Sequence, residues 1–401
     1  MGDRLRIAFL GFRHGHVMGL YQAARRHPRV EVVAACGEHA ETASALRHAA
    51  AAEANAPTGA GGAVHLTHAS FEDVFEHVDF DAVAIGDVYA RRGRLILRAL
   101  EAGKHVISDK PLCTDAAELE RIMTLTGTKS ASPEPRGGED GGDGGIGGNA
   151  RLRGRGPRVG CLLDLRERAA FRTMRRLIVR EGAIGSVRTV NFTAQHPLLL
   201  GRRPAWYFEP GKHGGTINDI GVHALDLIPW LTGRRVVEAV AARAWNARLP
   251  RFPWFQDAAQ VMLRLDNDGG ALGDLSYLAP DAAGYRAAQY WRVTCHGDAG
   301  SVEANYHADV VELTRSTDPA AQRVPLDPAR PGGCLDDFLD EIEGTAGPTG
   351  EFANGSSGAG SAGASGDSSA PLTTRDVLDA ARRALLVQRA ADEGRARVPL
   401  E

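Results

Sequence analysis

Residues 6–16 read RIAFLGFRHGH, an apolar run that ends at Gly11 and precedes a helical pattern over residues 15–26. The run predicts a buried strand, because its residues are mostly apolar and it is too short for a helix. A strand, a turn that contains glycine and a helix, in this order, are typical of a parallel sheet. The opening of the chain therefore indicates an α/β fold.

The same alternation continues as far as residue 165. Further strands are predicted at 30–35, 64–67, 82–85, 105–108 and 158–163. Helices are predicted up to residue 52, at 71–75, at 91–102, and from a cap at Thr114 or Asp115 to about residue 125. Because parallel strands are joined by helices that cover both faces, we predict a doubly wound parallel sheet over residues 1–165.

The second half of the chain has a different pattern. Segments with period-2 or β-branched character are predicted as strands at 186–193, 236–245, 258–265, 270–278, 289–296, 301–306 and 310–314. Helices are predicted at 166–181, 219–231, 335–343 and 374–391. We therefore expect a second domain over residues 166–401, of α+β type with a large, mostly antiparallel sheet.

Two stretches, 129–157 and 347–370, are rich in Gly, Ser and Pro. They carry too few apolar side chains to offset the entropy lost on ordering. We predict flexible surface insertions, one in each domain. A regulatory or docking segment is the alternative.

Bulk composition argues against several classes of partner. The 401 residues carry a net charge of −3, which gives no electrostatic reason to expect nucleic-acid or membrane binding. The five cysteines form no C-x-x-C pair, which favours reduced thiols in a cytoplasmic protein. The first residues do not resemble a signal peptide, and no apolar run approaches the ~20 residues of a membrane span.

The turn after the first predicted strand is a candidate dinucleotide-binding site. A pyrophosphate needs close approach to backbone and a helix N-terminus. Gly11 fits the first position of the G-x-G-x-x-G pattern, but Arg13 and His16 replace the other two glycines. The predicted cofactor-binding residues in the turn are Gly11, Phe12, Arg13, His14, Gly15 and His16.

His14 and His16 also permit other interpretations. An H-x-H at a strand end can share one metal ion, as in hydrolases of the amidohydrolase type. Two exposed turn histidines are the simpler alternative, and we expect no metal. After the second strand, Glu38 could bond the ribose hydroxyls and favour NAD over NADP, or it could be a surface residue that opens a helix.

Two further motifs carry chemistry. Residues 102–112, AGKHVISDKPL, place Lys110 at the end of a parallel strand, where it could hold charge beside a developing alkoxide. Residues 214–227, GGTINDIGVHALDL, place Asp219 and His223 at i and i+4, on one face of a helix. Histidine is the natural proton carrier of alcohol–carbonyl interconversion. The two glycines would let a substrate or nicotinamide ring approach the backbone, although the spacing of Asp219 and His223 alone also suits a structural pair.

Together the two motifs resemble the glucose–fructose oxidoreductase/inositol dehydrogenase (Gfo/Idh/MocA) family. The first is similar to A-G-K-H-V-x-x-E-K-P, with Asp109 in place of the usual Glu, and the second to G-G-G-x-x-x-D-x-G-x-H-x-x-D. Residues 85–89, IGDVY, depart from the family by lacking its Pro and following His. The resemblance implies an N-terminal Rossmann domain, NAD or NADP as cofactor, and a C-terminal sheet that commonly mediates homodimers or homotetramers.

The resemblance also implies roles for individual residues. Lys110 is then the catalytic lysine, His223 the proton donor or acceptor, and Asp219 its neighbour. Asp87, Asp109 and Lys110 are added to the cofactor site. His196, Trp206 and Lys212 are candidate substrate-binding residues.

The implied reaction is hydride transfer between nicotinamide and a sugar, inositol or polyol, with NAD slightly preferred as cofactor. Two alternatives within the same fold are an NAD-dependent glycosidase or lyase that uses transient oxidation, and a non-catalytic sensor that binds dinucleotide.

Overall fold

The computed structural model describes residues 4–54, 63–128, 156–330, 332–345 and 370–401. The two predicted insertions therefore lie almost entirely outside the described residues. Contacts divide the chain into two units. The first comprises the described parts of Met1–Leu162, Leu335–Thr345 and Thr373–Leu378, and the second comprises the remainder.

The first unit is built on five parallel strands. Its elements up to residue 162 are β1 (Leu5–Leu10), α1 (Gly15–Arg26), β2 (Val30–Cys36), α2 (Ala40–Ala54), α3 (Phe71–His77), β3 (Ala82–Ile85), α4 (Tyr89–Glu101), β4 (His105–Ser108), α5 (Ala116–Leu125) and β5 (Val159–Cys161). The strand order is β2-β1-β3-β4-β5. Asp115 caps α5, because its side chain accepts a hydrogen bond from the Glu118 N–H. The predicted parallel α/β sheet is confirmed.

The strand predicted at 64–67 is wrong as a regular strand. The chain there runs beside β2, where the Thr67 N–H donates to the Ala35 carbonyl at 2.8 Å and His68 forms a single bridge with Cys36. One bridge does not make a ladder, because the segment pairs with β2 only at its end. If this segment is counted as the third strand along the chain, the sheet has six strands in the order 3-2-1-4-5-6. This order is typical of dinucleotide-binding sheets.

One helix from the far end of the sequence completes the first core. In α8 (Cys334–Glu343), Leu335, Phe338 and Leu339 are buried in the same apolar cluster as Ile7 and Phe9 of β1. The first turn of α9 (Thr374–Asp392) also belongs to this unit. The observed division therefore differs from the predicted domains, which gave all residues after 165 to the second domain.

The second unit contains a nine-stranded sheet. Its strands are β6 (Val187–Pro197), β7 (Val236–Trp245), β8 (Ala258–Leu265), β9 (Gly270–Ala279), β10 (Arg292–Gly297), β11 (Gly300–Asn305), β12 (Val310–Arg315), β13 (Gln322–Pro325) and β14 (Val398–Pro399). The order is β13-β12-β11-β10-β6-β9-β8-β7-β14, and only β6 and β9 pair in parallel. The mostly antiparallel sheet is confirmed. The sequence missed the two edge strands, which are short and largely polar or exposed.

The helices of this unit depart from regular α geometry at two places. The helix predicted at 166–181 is a 3₁₀ turn (Asp164–Glu167), then α6 (Ala169–Arg175), then a π-helical turn (Arg176–Arg180). The helix predicted from residue 219 begins as a π-helical turn (Ile217–Gly221) and continues as α7 (Val222–Thr232). Every residue of α7 is buried, so the helix lies inside the unit. In the described part of the chain, no helix is long and apolar enough to cross a membrane.

Candidate active site

Two glycines bring the ends of β1 and β3 close together in the first unit. Gly11 has φ +82°, and a Cβ there would lie 2.9 Å from the Cβ of Asp87. A Cβ on Gly86 would lie 2.5 Å from the side chain of Val17 on α1. Both positions therefore require glycine. The sheet order reverses at β1, and ligands of open α/β sheets bind at such a point.

The turn after Gly11 fits a pyrophosphate through its backbone more than through its side chains. α1 begins at Gly15, and the N-cap residue His14 makes no side-chain hydrogen bond to the helix. The first N–H groups of α1 thus lack a side-chain cap and suit an anion. The Arg13 N–H is already bonded to the Gly86 carbonyl at 2.8 Å. Phe12 is buried against the rings of Phe9 and Tyr21, so its side chain belongs to the core.

Asp109 is a fully buried carboxylate at the end of β4. Its oxygens lie 2.7 Å from His14 Nδ1 and 3.1 Å from His16 Nδ1. The Lys110 N–H donates to it at 2.7 Å, and Arg92 Nη2 lies 3.4 Å away. Burial alone would raise the pKa of Asp109, but these histidines and Arg92 hold that pKa well below its usual value. The structure therefore joins the turn after β1 to the segment that carries Lys110.

His14 is not the exposed turn histidine that one interpretation of the sequence expected. Its side chain is 14% exposed, whereas that of His16 is 46% exposed. Burial lowers the pKa of His14 to about 4, although Asp109 opposes the shift. The His14 imidazole is therefore neutral at neutral pH and, as the tautomer with Nδ1–H, donates to Asp109.

Arg92 is the main residue of this region that sequence reasoning missed. It is fully buried, and its guanidinium donates to the carbonyls of Asp87, Lys110 and Pro111. Its guanidinium also lies 4.5 Å from the centre of the Tyr89 ring. One signal was available, because Arg92 shares the apolar face of α4 with Ile96 four residues later.

Three more of the predicted cofactor-binding residues, Lys110, Glu38 and Asp87, lie in the first unit. Lys110 is 4% exposed and follows β4 at the carboxyl edge of the sheet. Both oxygens of Glu38 accept hydrogen bonds at 2.8 Å, one from the N–H of Phe71 and one from Arg91. Arg91 also lies 3.2 Å from buried Asp87. Glu38 thus satisfies a backbone N–H at the start of α3. The sequence predicted a ribose contact for Glu38 and not this structural role.

In the second unit, Asp219 lies in the π-helical turn and is 1% exposed. The hydroxyl of Tyr207 donates to its Oδ2 at 2.6 Å, and the hydroxyl of Tyr277 donates to the same oxygen. His213 Nε2 lies 3.4 Å from that oxygen. The prediction of a plain α-helix from Asp219 is wrong, because the wider π turn precedes α7. Such turns are frequent at functional sites.

Burial and the neighbouring Asp219 raise the pKa of Tyr207, so its hydroxyl stays protonated and remains a donor. The guanidinium of Arg203 lies 4.6 Å from the centre of the Tyr207 ring and 5.3 Å from that of Tyr277. A cation over these ring faces is a favourable contact. Sequence reasoning missed both tyrosines and Arg203, because all three are distant from the motif.

The glycines before Asp219 make room for protein. Gly215 has φ +92°, and a Cβ there would overlap the side chain of Gln388 on α9. The Gln388 Oε1 accepts from the N–H of Ile217 at 2.8 Å, which satisfies a donor at the start of the π turn. Gln388 thus fills the space that a side chain at Gly215 would need, and the expected approach of a substrate or nicotinamide ring to this backbone stays a prediction.

His223 is 4% exposed and packs edge-on against Trp291, with 5.6 Å between ring centres. Trp291 also contacts His196 at 6.1 Å, and its backbone has φ +52°, an uncommon conformation for a bulky residue. His196 lies further among the rings of Tyr277 and Tyr290. The structure thus places predicted residue His196 in the same aromatic cluster as His223.

The other two candidate substrate-binding residues lie elsewhere. Trp206 is buried and packs on Tyr207, with 5.1 Å between ring centres. Lys212 is 42% exposed and forms an ion pair with Glu209. The substrate roles of His196, Trp206 and Lys212 stay predictions.

Two protein-family models match this chain, each over a different part of the sequence. Residues 5–132 match the model described as "Oxidoreductase family, NAD-binding Rossmann fold", and residues 171–303 match the Gfo/Idh/MocA C-terminal domain. The chain belongs to the Gfo/Idh/MocA oxidoreductase family. This member is therefore an oxidoreductase whose N-terminal domain has an NAD-binding Rossmann fold, as the two motifs predicted.

Individual relatives of this Gfo/Idh/MocA protein are distant. Inositol 2-dehydrogenase 2 of Saccharopolyspora erythraea is 26% identical over 77% of this chain and 79% of its own length. Two solved structures share the fold. An inositol dehydrogenase homologue of Azotobacter vinelandii, complexed with NAD⁺, has a TM-score of 0.69 and 16% identity, covering 99% of this chain and 97% of its own. Aldose-aldose oxidoreductase of Caulobacter crescentus has a TM-score of 0.64 and 19% identity, covering 98% and 99%.

Proposed function

We propose that this oxidoreductase is an NAD(P)-dependent dehydrogenase that interconverts a hydroxyl group of a sugar, inositol or related polyol with the carbonyl. The observation that carries the proposal is the position of Lys110. It is buried at the carboxyl edge of a parallel sheet, next to the point where Gly11 and Gly86 draw two strands together. The names of the inositol and aldose relatives support a polyhydroxylated substrate.

We assign a separate chemical role to each residue of the two motifs. The bound dinucleotide supplies the hydride acceptor. The Lys110 ammonium stabilises the substrate oxygen as charge develops on it. The His223 imidazole takes the hydroxyl proton in oxidation and returns it in reduction. Asp219, oriented by Tyr207 and Tyr277, accepts hydrogen bonds from substrate hydroxyls.

The first N–H groups of α1 and the turn Gly11–His16 are assigned to the pyrophosphate. We assign NAD rather than NADP as the preferred cofactor, because the carboxylate of Glu38 would repel a 2′-phosphate. Arg91 partly offsets that charge, so the preference is modest. The ratio of kcat/KM with NAD to kcat/KM with NADP measures it, and a ratio below one would reverse the assignment.

The decisive variant is Lys110→Met. We expect kcat to fall about 10²- to 10³-fold, as when one group that stabilises an oxyanion is removed. NADH binding, followed by fluorescence, should change little because the pyrophosphate contacts remain. Lys104→Met is the matched control, since Lys104 lies just before the same strand and its ammonium donates to the Phe80 carbonyl at 2.7 Å. Normal turnover in Lys110→Met, or no binding of NADH and NADPH at millimolar concentration, would refute the proposal.

We further infer that the protein is a homodimer or homotetramer that associates through the nine-stranded sheet. Met262 and Leu272 are cross-strand partners on its solvent face and are 50% and 56% exposed. Paired apolar side chains of this size are unusual on a monomer surface. The mass in solution, measured by light scattering for the wild type and for Met262→Lys, tests this. A monomeric wild type would contradict it.

A cytoplasmic location remains our expectation. It is supported by the five buried cysteines, none of which forms a disulfide.

A further inference from the structure

We propose that His14, His16 and Arg92 are positioning residues that hold Asp109 and, through its contact with the backbone, fix Lys110. The two histidines of the turn thus acquire a function of their own. They link the dinucleotide-binding turn to the lysine proposed to stabilise the substrate oxygen. The inference rests on the proposed function, because it assumes the role of Lys110.

The two oxygens of Asp109 divide these contacts between them. Oδ2 receives His14 at 2.7 Å and faces Arg92 at 3.4 Å. Oδ1 receives His16 at 3.1 Å and the Lys110 N–H at 2.7 Å. Three hydrogen bonds and one ion pair around a buried carboxylate leave it little freedom to rotate. A shift of the turn after β1 would therefore be transmitted to the backbone of Lys110.

Arg92 holds the same peptide segment from its other side. It donates to the Lys110 carbonyl at 2.5 Å and to the Pro111 carbonyl at 3.0 Å. The N–H of Lys110 is thus held by Asp109 and its carbonyl by Arg92. A lysine whose N–H and carbonyl are both restrained presents its side chain from a fixed base, which is what a preorganised charge requires.

His14, His16 and Asp109 also have the composition of a metal site, and their ligand atoms all lie within 4.8 Å of one another. Two observations favour hydrogen bonds instead. The N···O separations of 2.7 and 3.1 Å are shorter than the roughly 3.4 Å between ligand atoms around tetrahedral zinc. Arg92 adds positive charge beside the carboxylate, which opposes a divalent cation.

The titratable and charged groups that face Asp109 are the two histidines of the β1–α1 turn and Arg92 of α4, and Lys110 acts on His14. Together the histidines and Arg92 keep the pKa of Asp109 well below its usual value. Removing a donor therefore raises that pKa. Protonation of Asp109 would then release the Lys110 N–H at a higher pH than in the wild type.

The test compares His14→Ala with His14→Asn, whose amide nitrogen can take the place of Nδ1. We expect His14→Ala to lower kcat about 10- to 100-fold, because Lys110 would be slightly misplaced. The acid limb of the plot of kcat against pH should also shift to higher pH. The dissociation constant of NADH should change less than kcat. His14→Asn should restore both kcat and the pH limb. His77→Ala is the matched control, because His77 forms an exposed pair with Asp73 in the same unit.

If His14→Ala does not fold, His16→Ala applies the same test from the exposed side of the carboxylate. Wild-type kcat and pH limb in these alanine variants, with Lys110→Met inactive, would overturn the positioning role and leave the proposed function intact. An active Lys110→Met would instead refute the proposed function. Stoichiometric Zn²⁺ binding to the wild type that increases turnover and is lost in His14→Ala would replace the positioning role with a metal site.

Discussion

Asp109 in the first unit and Asp219 in the second are both buried carboxylates within the two motifs, yet they are held by different chemistry. Asp109 faces nitrogen donors, namely two imidazoles and the guanidinium of Arg92. Asp219 accepts from the hydroxyls of Tyr207 and Tyr277, and His213 Nε2 lies 3.4 Å from the same oxygen. Both carboxylates are buried, but a guanidinium lies beside Asp109, whereas two tyrosine hydroxyls donate to Asp219.

The difference indicates two purposes. A carboxylate beside a buried cation is fixed as an anion and anchors structure, because its loss leaves the cation uncompensated. A carboxylate that accepts from two hydroxyl groups is oriented by donors that carry no formal charge. Such a group is better suited to exchange a hydrogen bond with a polyhydroxylated ligand. The contrast predicts different responses to substitution and to pH.

The largest effect should come from neutralising each carboxylate in turn. Asp109→Asn leaves Arg92 with a buried positive charge, so we expect a loss of about 3–5 kcal/mol in the free energy of unfolding. Asp219→Asn keeps an oxygen that accepts from the tyrosine hydroxyls and should cost about 1–2 kcal/mol. Urea denaturation of both variants measures the difference. Equal losses, or a larger loss for Asp219→Asn, would show that the two carboxylates are held alike.

The second-largest effect should be a decrease in the stability of the first unit at acid pH. Burial lowers the pKa of both His14 and His105 from 6.5 to about 4, and His105 Nδ1 accepts from the Arg158 N–H at 3.0 Å. Between these pH values the unfolded chain binds protons that the folded chain does not, so stability falls as pH decreases from 6.5 to 4. Each histidine contributes about 3 kcal/mol at most, at 1.36 kcal/mol per pKa unit.

The measurement is the free energy of unfolding as a function of pH for the wild type and His105→Asn. The variant keeps an acceptor for Arg158 and removes one titrating group, so its stability should depend less steeply on pH. His77→Ala, at an exposed position, should match the wild type. Identical slopes for the wild type and His105→Asn would contradict the assignment.

The smallest effect concerns a single hydroxyl. Tyr277→Phe removes one donor to Asp219 and should cost about 1–2 kcal/mol, because hydrogen bonds to charged groups contribute more than neutral ones. Tyr285→Phe is the control, since Tyr285 is 39% exposed and should change stability by less than about 0.5 kcal/mol. Thermal unfolding midpoints compare the two. Indistinguishable midpoints would mean that Tyr277 does not hold Asp219.

Much of the fold could be predicted because it is encoded locally. The stretches 7–10 and 82–85 are continuous apolar runs, and strands buried on both faces require such runs. The edge strand Gln322–Pro325 escaped prediction, because an edge needs no apolar side chains. The π turn at Ile217–Gly221 also escaped, since periodicity does not distinguish it from an α-helix and Gln388 helps to form it from far along the chain.

By itself, the sequence determined that a parallel sheet is followed by a mostly antiparallel one, and that Lys110 ends a strand of the first. Only the tertiary structure decided which groups surround the two motif carboxylates. His14 lies 95 residues from Asp109 in the chain, and Tyr277 lies 58 residues from Asp219. The physical reason is that side-chain periodicity records burial within one element. Hydrogen-bond partners depend on which elements packing brings together.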